Sequence, residues 1–153
     1  TSIGEGAGVY SRLLEISVEN NGRPRYHSII SCKYSEAAKS GSRELTDVTG
    51  EYKFANMRAY CFWAVRDWLN PDFDSNAMLP PGGTLLEEAT EIKWSFLSNG
   101  KVIIEPKEDI KERLGYSPDE FDALANTFHP SAVRYASEYN DDEMADDDED
   151  LLY

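Results

Sequence analysis

A broad apolar stripe in residues 54–69, FANMRAYCFWAVRDWL, is the clearest pattern of apolar and polar positions in the chain. Apolar side chains recur in this segment at spacings of three and four residues, which places them on one face of an α-helix. Asn70 and Pro71 follow the stripe and predict the end of the helix, because a residue before proline avoids helical backbone angles. We therefore expect an amphipathic helix over residues 54–69.

Three weaker patterns precede that helix. The opening TSIGEGAGVY predicts a glycine-rich turn that leads into a helix, and its glycine spacing does not match a phosphate-binding loop. The β-prone run Tyr26–Lys33, YHSIISCK, predicts a strand. Residues 35–51 are polar and rich in small side chains, which predicts a long flexible loop that is either functional or a disordered connection.

A hairpin flanked by short helices is predicted in the second half of the chain. Residues 94–106, WSFLSNGKVIIEP, contain two β-prone runs around Asn99 and Gly100, which form a typical hairpin turn. We expect a helix over residues 84–90, capped by its first threonine, before the hairpin. A charged helix over residues 107–114, ended by a glycine, and another over residues 117–128 are expected after it. This mixture of helices and strands predicts an α/β fold.

Acidic residues are concentrated near the end of the chain. The formal net charge is −14 over 153 residues, and residues 138–150 hold nine acids and no base, which leaves 20 acids against 15 bases elsewhere. That balance argues against general polyanion binding, so any contact with DNA would need a local patch. We expect one globular domain over residues 1–135 and an acidic, disordered tail over residues 136–153.

Cysteine spacing and hydropathy argue against zinc, redox, membrane-spanning and secreted classes of protein. Cys32 and Cys61 lack the spacing of a zinc site or a redox pair, so two reduced thiols are expected. The chain has no apolar run of about 18 residues, so neither a membrane span nor a membrane partner is expected. It shows no signal-peptide pattern, so secretion is not expected. Because it begins with Thr1 rather than methionine, we interpret it as a piece of a longer protein.

Carboxylates crowd the start of the last predicted helix, SPDEFDAL, residues 117–124. Ser117 can cap this helix, Pro118 fits its first turn, and Glu120 completes a capping box. Asp119 lies where the positive end of the helix dipole favours an acid. Capping leaves Asp122 unexplained.

Asp119 and Asp122 are three residues apart and share a face of the helix, away from its apolar stripe. Two such carboxylates repel each other on an exposed helix, whereas a divalent cation between them would be stabilised. Hard oxygen ligands suit Mg²⁺ or Mn²⁺. The residues themselves allow either a metal site at Asp119 and Asp122 or an acid pair without a function.

Short motifs follow one another between residues 100 and 124. They are Gly100-Lys101-Val102-Ile103-Ile104, Lys107-Glu108-Asp109, Arg113-Leu114-Gly115 and SPDEFDAL. Their order and spacing resemble the end of the nuclease domain of phage terminase large subunits, which are DNA-packaging motors. Upstream, Phe54, Asn56 and Arg58 resemble the F-x-N-x-R helix start of that family, and Leu86 with Glu87-Glu88 resembles its L-x-x-E segment. The stretch GEGAGVYSRL resembles the glycine turn and helix that follow a central strand in that family. The resemblance covers about residues 1–130.

The resemblance implies an incomplete ribonuclease H-like fold, a mixed sheet flanked by helices, and a metal-dependent endonuclease. Such a domain cuts concatemeric viral duplex DNA with two ions, Mg²⁺ or Mn²⁺, which activate water and stabilise the leaving oxygen. Asp119 matches one of the ligands, and Asp122 would be an outer or alternative ligand. Lys107 would approach a phosphate or the metal-bound water, or would be a solvated helix-start lysine. Arg58 would bind a phosphate or pair with an acid.

The family also implies partners and a location. Double-stranded DNA, the portal protein, the small terminase subunit and an upstream ATPase domain of the same protein would be the partners, in the host cytoplasm. The chain departs from the family in its metal ligands. The strand with the first acid is not in it, and the position of the second acid, three residues before Gly4, holds Thr1. A non-catalytic docking module of the packaging motor is therefore the alternative.

Overall fold

The computed structural model describes residues 5–19, 29–73, 76–79 and 83–132. The chain divides into two compact units, residues 1–33 with 134–153 and residues 34–133, which are considered separately. The acidic tail predicted over residues 136–153 lies outside the described residues.

Helix α1, Glu5–Glu19, is the described element of the first unit. Its helical form confirms the prediction, but Gly6 and Gly8 lie inside the helix rather than in a preceding turn. Residues 29–33, the described part of the predicted strand, are not in a strand. A β-prone segment needs a hydrogen-bonding neighbour to become one, and sequence periodicity does not supply that neighbour.

A small hairpin organises the segment that was predicted to be a flexible loop in the second unit. Strands β1, Lys39–Ser40, and β2, Arg43–Glu44, pair antiparallel. Gly41 between them has a φ of 61°, a conformation that L side chains rarely adopt. Asp47 then orders the following turn, because its carboxylate accepts a hydrogen bond of 2.8 Å from the N–H of Tyr52. The predicted loop therefore contains a short hairpin, and the rest of residues 35–51 is irregular, as predicted.

Helix α2, Met57–Leu69, carries the apolar stripe and forms the centre of the second unit. It begins three residues later than predicted because the side chain of Asn56 caps it, accepting a hydrogen bond of 2.9 Å from the N–H of Ala59. Its side chains Phe62, Trp63 and Val65 are buried. Pro71 starts a short 3-10 turn directly after the helix.

A second hairpin packs against α2. Strands β3, Trp94–Phe96, and β4, Val102–Ile104, pair antiparallel around the predicted turn. Val102 is fully buried, and its backbone pairs with the segment leading into α2, donating to the carbonyl of Lys53 at 2.8 Å. This bridge joins the hairpin to the start of α2.

Three short helices complete the second unit. Helix α3, Leu85–Glu91, precedes the β3–β4 hairpin, and α4, Lys107–Leu114, and α5, Asp119–Asn126, follow it. All three match the predicted positions within two residues at each end. Helix α5 packs against α2 and α3, and α4 packs against α3.

The described residues therefore form a mixed α/β fold, as predicted. Their strands make two separate two-stranded antiparallel sheets. None of the helices in the described ranges combines the length and the apolarity needed to cross a bilayer.

Glu44 of β2 joins the two hairpins, because its carboxylate forms an ion pair with Lys101, the residue before β4. Its carboxylate lies 2.5 Å from Nζ of Lys101 and 3.0 Å from Nζ of Lys53. The hydrogen bond from Lys101, and then that from Lys53, lower the pKa of Glu44 from 4.5 to about 2. Because the folded pKa is depressed, this stabilisation is complete above pH 4.5 and is lost as the pH falls towards 2.

We predict that Glu44→Gln makes the free energy of unfolding depend less steeply on pH below about pH 5. Measured by urea unfolding between pH 2 and 5, the difference in unfolding free energy between wild type and variant should shrink as the pH falls. Glu112→Gln, the same change at an exposed residue of α4, is the control and should leave the slope unchanged. A difference for Glu44→Gln that does not vary with pH would contradict this.

Candidate functional site

A short connection leads from the end of α4 to the start of α5. Helix α4 ends at Gly115, whose φ of 79° is left-handed and whose N–H donates to the carbonyl of Lys111 at 2.8 Å. A residue with a Cβ would be strained in this conformation, so the glycine is what allows the chain to reverse here. Four residues later α5 begins at Asp119.

The acid pair, defined as Asp119 and Asp122, is bridged by Lys107. Nζ of Lys107 lies 2.5 Å from Oδ2 of Asp122 and 3.3 Å from Oδ1 of Asp119. The side chain of Asp119 is 78% exposed and that of Asp122 is 17% exposed, so the site extends from solvent into the protein. The structure therefore brings together all three residues that were predicted to form a site.

The charges of these groups reinforce one another. Partial burial disfavours the charged form of Lys107, but hydrogen bonds and charges from Asp122 and then Asp119 outweigh it and raise the pKa of the ammonium. The hydroxyl of Ser117, followed by Lys107, lowers the pKa of Asp119. Lys107 is held as a cation and Asp119 as an anion near neutral pH.

Ser117 does not cap α5 in the predicted way. Its hydroxyl donates a hydrogen bond of 2.7 Å to Oδ1 of Asp119, and the helix begins two residues after it. Glu120 likewise does not close a capping box, because its Oε2 accepts from the N–H of Thr84 at 3.1 Å. The capping-box prediction was wrong because it considered only local partners, whereas α3 lies next to this helix start.

Glu88 of α3 supplies the missing cap. Its Oε2 accepts a hydrogen bond of 2.7 Å from the N–H of Phe121, and its Oε1 accepts one of 2.8 Å from the hydroxyl of Thr84. Glu88 is only 1% exposed, so both bonds are shielded from water. In the sequence, Glu88 was singled out only by the similarity of Glu87-Glu88 to the L-x-x-E segment of the terminase family. Helix periodicity did not single it out.

Thr84 also departs from its predicted role. It precedes α3, but its side chain makes no capping bond to that helix and instead donates to Glu88. The start of α3 is thus fixed by the same carboxylate that caps α5. One buried acid therefore connects the beginnings of two helices.

Two buried polar atoms beside the acid pair have no hydrogen-bond partner within the described ranges. They are Oδ1 of Asp122 and Nη2 of Arg58. Arg58 donates from Nη1 to the carbonyl of Glu105 at 2.6 Å and lies 4.6 Å above the ring of Phe62. Arg58 thus forms no ion pair with an acid in the described part of the chain, although the nearby charge of Asp122 acts to raise its pKa against burial. Its predicted contact with a phosphate stays a prediction. A buried acceptor and a buried donor remain available at the site.

Arg113 fixes α4 relative to its neighbours. Its guanidinium forks onto the carboxylate of Glu105, with one bond of 2.8 Å, and its Nη2 donates to the carbonyl of Glu91 at 2.5 Å. Glu105 in turn accepts from the N–H of Lys93 at 2.7 Å. These contacts join α4 to α3 and to the β3–β4 hairpin, which holds Lys107 in place at the start of α4.

The acid pair presents carboxylate oxygens at the protein surface, where the ammonium of Lys107 contacts both acids. The acid pair offers carboxylate oxygens, and no group of three or more His, Cys, Asp or Glu side chains in the described ranges is placed to hold a metal. A cavity of about 500 Å³ lies elsewhere, along the side of α2 that carries Tyr60 and Trp68. The acid pair is instead open to solvent through the side chain of Asp119.

No protein-family model, no curated protein and no solved structure matches this chain. The resemblance to terminases stays a prediction from the motif residues, most of which lie between Gly100 and Leu124. In the structure that block comprises β4, α4 and α5 with their connections.

We predict that loss of the Glu88 carboxylate destabilises the second unit. Glu88→Ala leaves the buried N–H of Phe121 without an acceptor, which should lower the free energy of unfolding by about 1–3 kcal/mol. Glu88→Gln keeps an acceptor oxygen and should recover part of that loss. Chemical denaturation monitored by tryptophan fluorescence measures both.

Glu87→Ala is the matched control, since Glu87 is the exposed neighbour on the same helix. It should change stability by less than about 0.5 kcal/mol. Equal effects of Glu87→Ala and Glu88→Ala would show that the buried cap is not what stabilises this region.

Proposed function

We propose that this chain is part of a phage terminase large subunit and belongs to its ribonuclease H-like nuclease domain. In this proposal the acid pair holds Mg²⁺ or Mn²⁺ for cutting concatemeric duplex DNA. The observation that carries it is that Lys107, Asp119 and Asp122, each on a matching motif, meet at one point of the surface. If the match to the motifs were accidental, three residues on two different helices would have no reason to contact one another.

The residues present fit a hard divalent cation. Oδ1 of Asp122 is a buried acceptor without a partner, and the carboxylate of Asp119 is open to solvent. Carboxylate oxygens are the ligands that Mg²⁺ and Mn²⁺ prefer, together with waters and substrate oxygens. A bound ion would supply Lewis-acid activation of water and neutralise charge on the leaving oxygen.

The other groups of the site would orient the acids and the DNA. Ser117 holds the carboxylate of Asp119 through its hydroxyl. Tyr34 holds the helix beneath Asp122, because its hydroxyl donates to the backbone carbonyl of Asp122 at 3.0 Å. Lys107 supplies a positive charge that is 37% exposed at the surface and can contact a phosphate.

The proposal also names the setting in which the site would work. The ribonuclease H-like sheet would be completed by strands beyond the two described hairpins, and these strands would carry the remaining acids. An ATPase domain of the same protein, the portal protein and the small terminase subunit would be the partners. The compartment would be the host cytoplasm.

Plasmid nicking by the full-length protein tests this proposal. We predict that Asp119→Asn lowers Mn²⁺-dependent nicking by at least about 10–100-fold, because even the loss of a group that only orients a ligand costs that much. Asp72→Asn, the same change at an exposed acid of the 3-10 turn after α2 and outside the matching motifs, should leave the rate near that of wild type. Circular dichroism should show that both variants are folded.

Unchanged nicking by folded Asp119→Asn would refute the site. Nicking that persists in EDTA would refute the metal requirement. Loss of nicking in both variants would show that the effect is not specific to the acid pair.

A docking module of the packaging motor without catalysis is the second candidate. It is favoured by the two departures in metal ligands: Thr1 stands where the family has an acid, and the described residues contain no group of three possible ligands. Under this alternative the chain would bind the portal or the small terminase subunit with equal affinity in EDTA and in Mn²⁺. Tight Mn²⁺ binding that depends on Asp119 would exclude a purely docking role.

A further inference from the structure

The ammonium of Lys107 occupies the position between the two carboxylates. Its Nζ is within hydrogen-bonding distance of Asp122 and within ion-pair distance of Asp119. A single small cation placed there would contact one oxygen of each acid. A divalent ion bound at this position would take Oδ2 of Asp122 and Oδ1 of Asp119 from Lys107, and the unpartnered Oδ1 of Asp122 would be a further acceptor for it.

The position of Lys107 in its helix makes this ion pair unusual. It is the first residue of α4, where the positive end of the helix dipole disfavours a cation. Two acids in the first turn of α4, Glu108 and Asp109, are placed as the dipole favours. Local helix energetics therefore do not account for Lys107, whereas the acid pair does.

We propose that Lys107 is an internal counter-cation, which a divalent ion must displace from Asp119 and Asp122 when it binds. This inference rests on the proposed function and adds the regulation of that site. In the metal-free protein Lys107 relieves the repulsion between the two acids, and its charge opposes the approach of a metal ion. Binding of the metal ion and displacement of the Lys107 ammonium from the two carboxylates are then a single exchange.

Coulomb's law sets the direction and the scale of the effect. A unit positive charge about 4 Å from a divalent ion weakens binding of that ion roughly 30-fold even at the dielectric constant of water, and more where the site is partly buried. Removing the charge of Lys107 without shortening its side chain should therefore tighten Mn²⁺ binding. The same change should lower the stability of the metal-free protein, because the two carboxylates on one turn of α5 would lose the cation that they share.

Isothermal titration calorimetry with Mn²⁺ on the full chain tests the exchange. We predict that Lys107→Met lowers the Kd for Mn²⁺ by about tenfold or more relative to wild type. Lys107→Arg keeps the charge and should not tighten binding. Lys39→Met, the same change at an exposed lysine of β1, controls for the loss of one positive charge from the whole protein.

Thermal unfolding gives a second readout that does not depend on catalysis. In EDTA, Lys107→Met should melt at a lower temperature than wild type. Saturating Mn²⁺ should raise the melting temperature of Lys107→Met by more than it raises that of wild type, because ligand stabilisation follows affinity.

The double variant Asp119→Asn with Asp122→Asn separates this inference from the proposed function. If that variant loses Mn²⁺ binding while Lys107→Met binds no more tightly than wild type, the metal site stands and the counter-cation is refuted. If the double variant binds Mn²⁺ as wild type does, the site itself is refuted. Absence of Mn²⁺ binding by both wild type and Lys107→Met would refute both.

If Lys107→Met does not fold in EDTA, its refolding on addition of Mn²⁺ decides the question. Recovery of the native circular dichroism signal supports the exchange, since the metal then replaces the missing ammonium. A variant that stays unfolded in saturating Mn²⁺ contradicts it.

Discussion

The bond between the buried carboxylate of Glu88 and the N–H of Phe121 is the constraint on which the rest of the site depends. Burying a carboxylate is costly unless its oxygens are satisfied, and here each oxygen accepts one short hydrogen bond. The donors come from the residue before α3 and from the first turn of α5. The bond therefore fixes where α5 begins, and with it the positions of Asp119 and Asp122.

The negative charges of the acid pair exceed the positive charge that contacts them. Asp119 and Asp122 lie in the first turn of α5, where the positive end of the helix dipole stabilises carboxylates. Lys107 balances one of the two charges of the acid pair. The buried guanidinium of Arg58 is the next cation, but it is directed to a backbone carbonyl and an aromatic ring. The acid pair thus retains both negative charge and an acceptor oxygen for a ligand.

Sequence patterns predicted the local features and missed those that depend on distant partners. Helices α2 to α5 and the β3–β4 hairpin follow from apolar periodicity, Asn99-Gly100 and Gly115, all of which act within a few residues. Helical spacing also placed Asp119 and Asp122 on one face. It could not show that Lys107, on another helix, lies between them, or that Glu88 replaces Ser117 as the cap. Those contacts depend on how the helices pack.

The central claim, that the acid pair binds a divalent cation, is tested most directly by anomalous diffraction from crystals grown with Mn²⁺. The account predicts an anomalous peak beside the carboxylates of Asp119 and Asp122, with the ammonium of Lys107 moved away from its present position. Ordered carboxylates with Lys107 still between them and no anomalous peak, in crystals saturated with Mn²⁺, would contradict it.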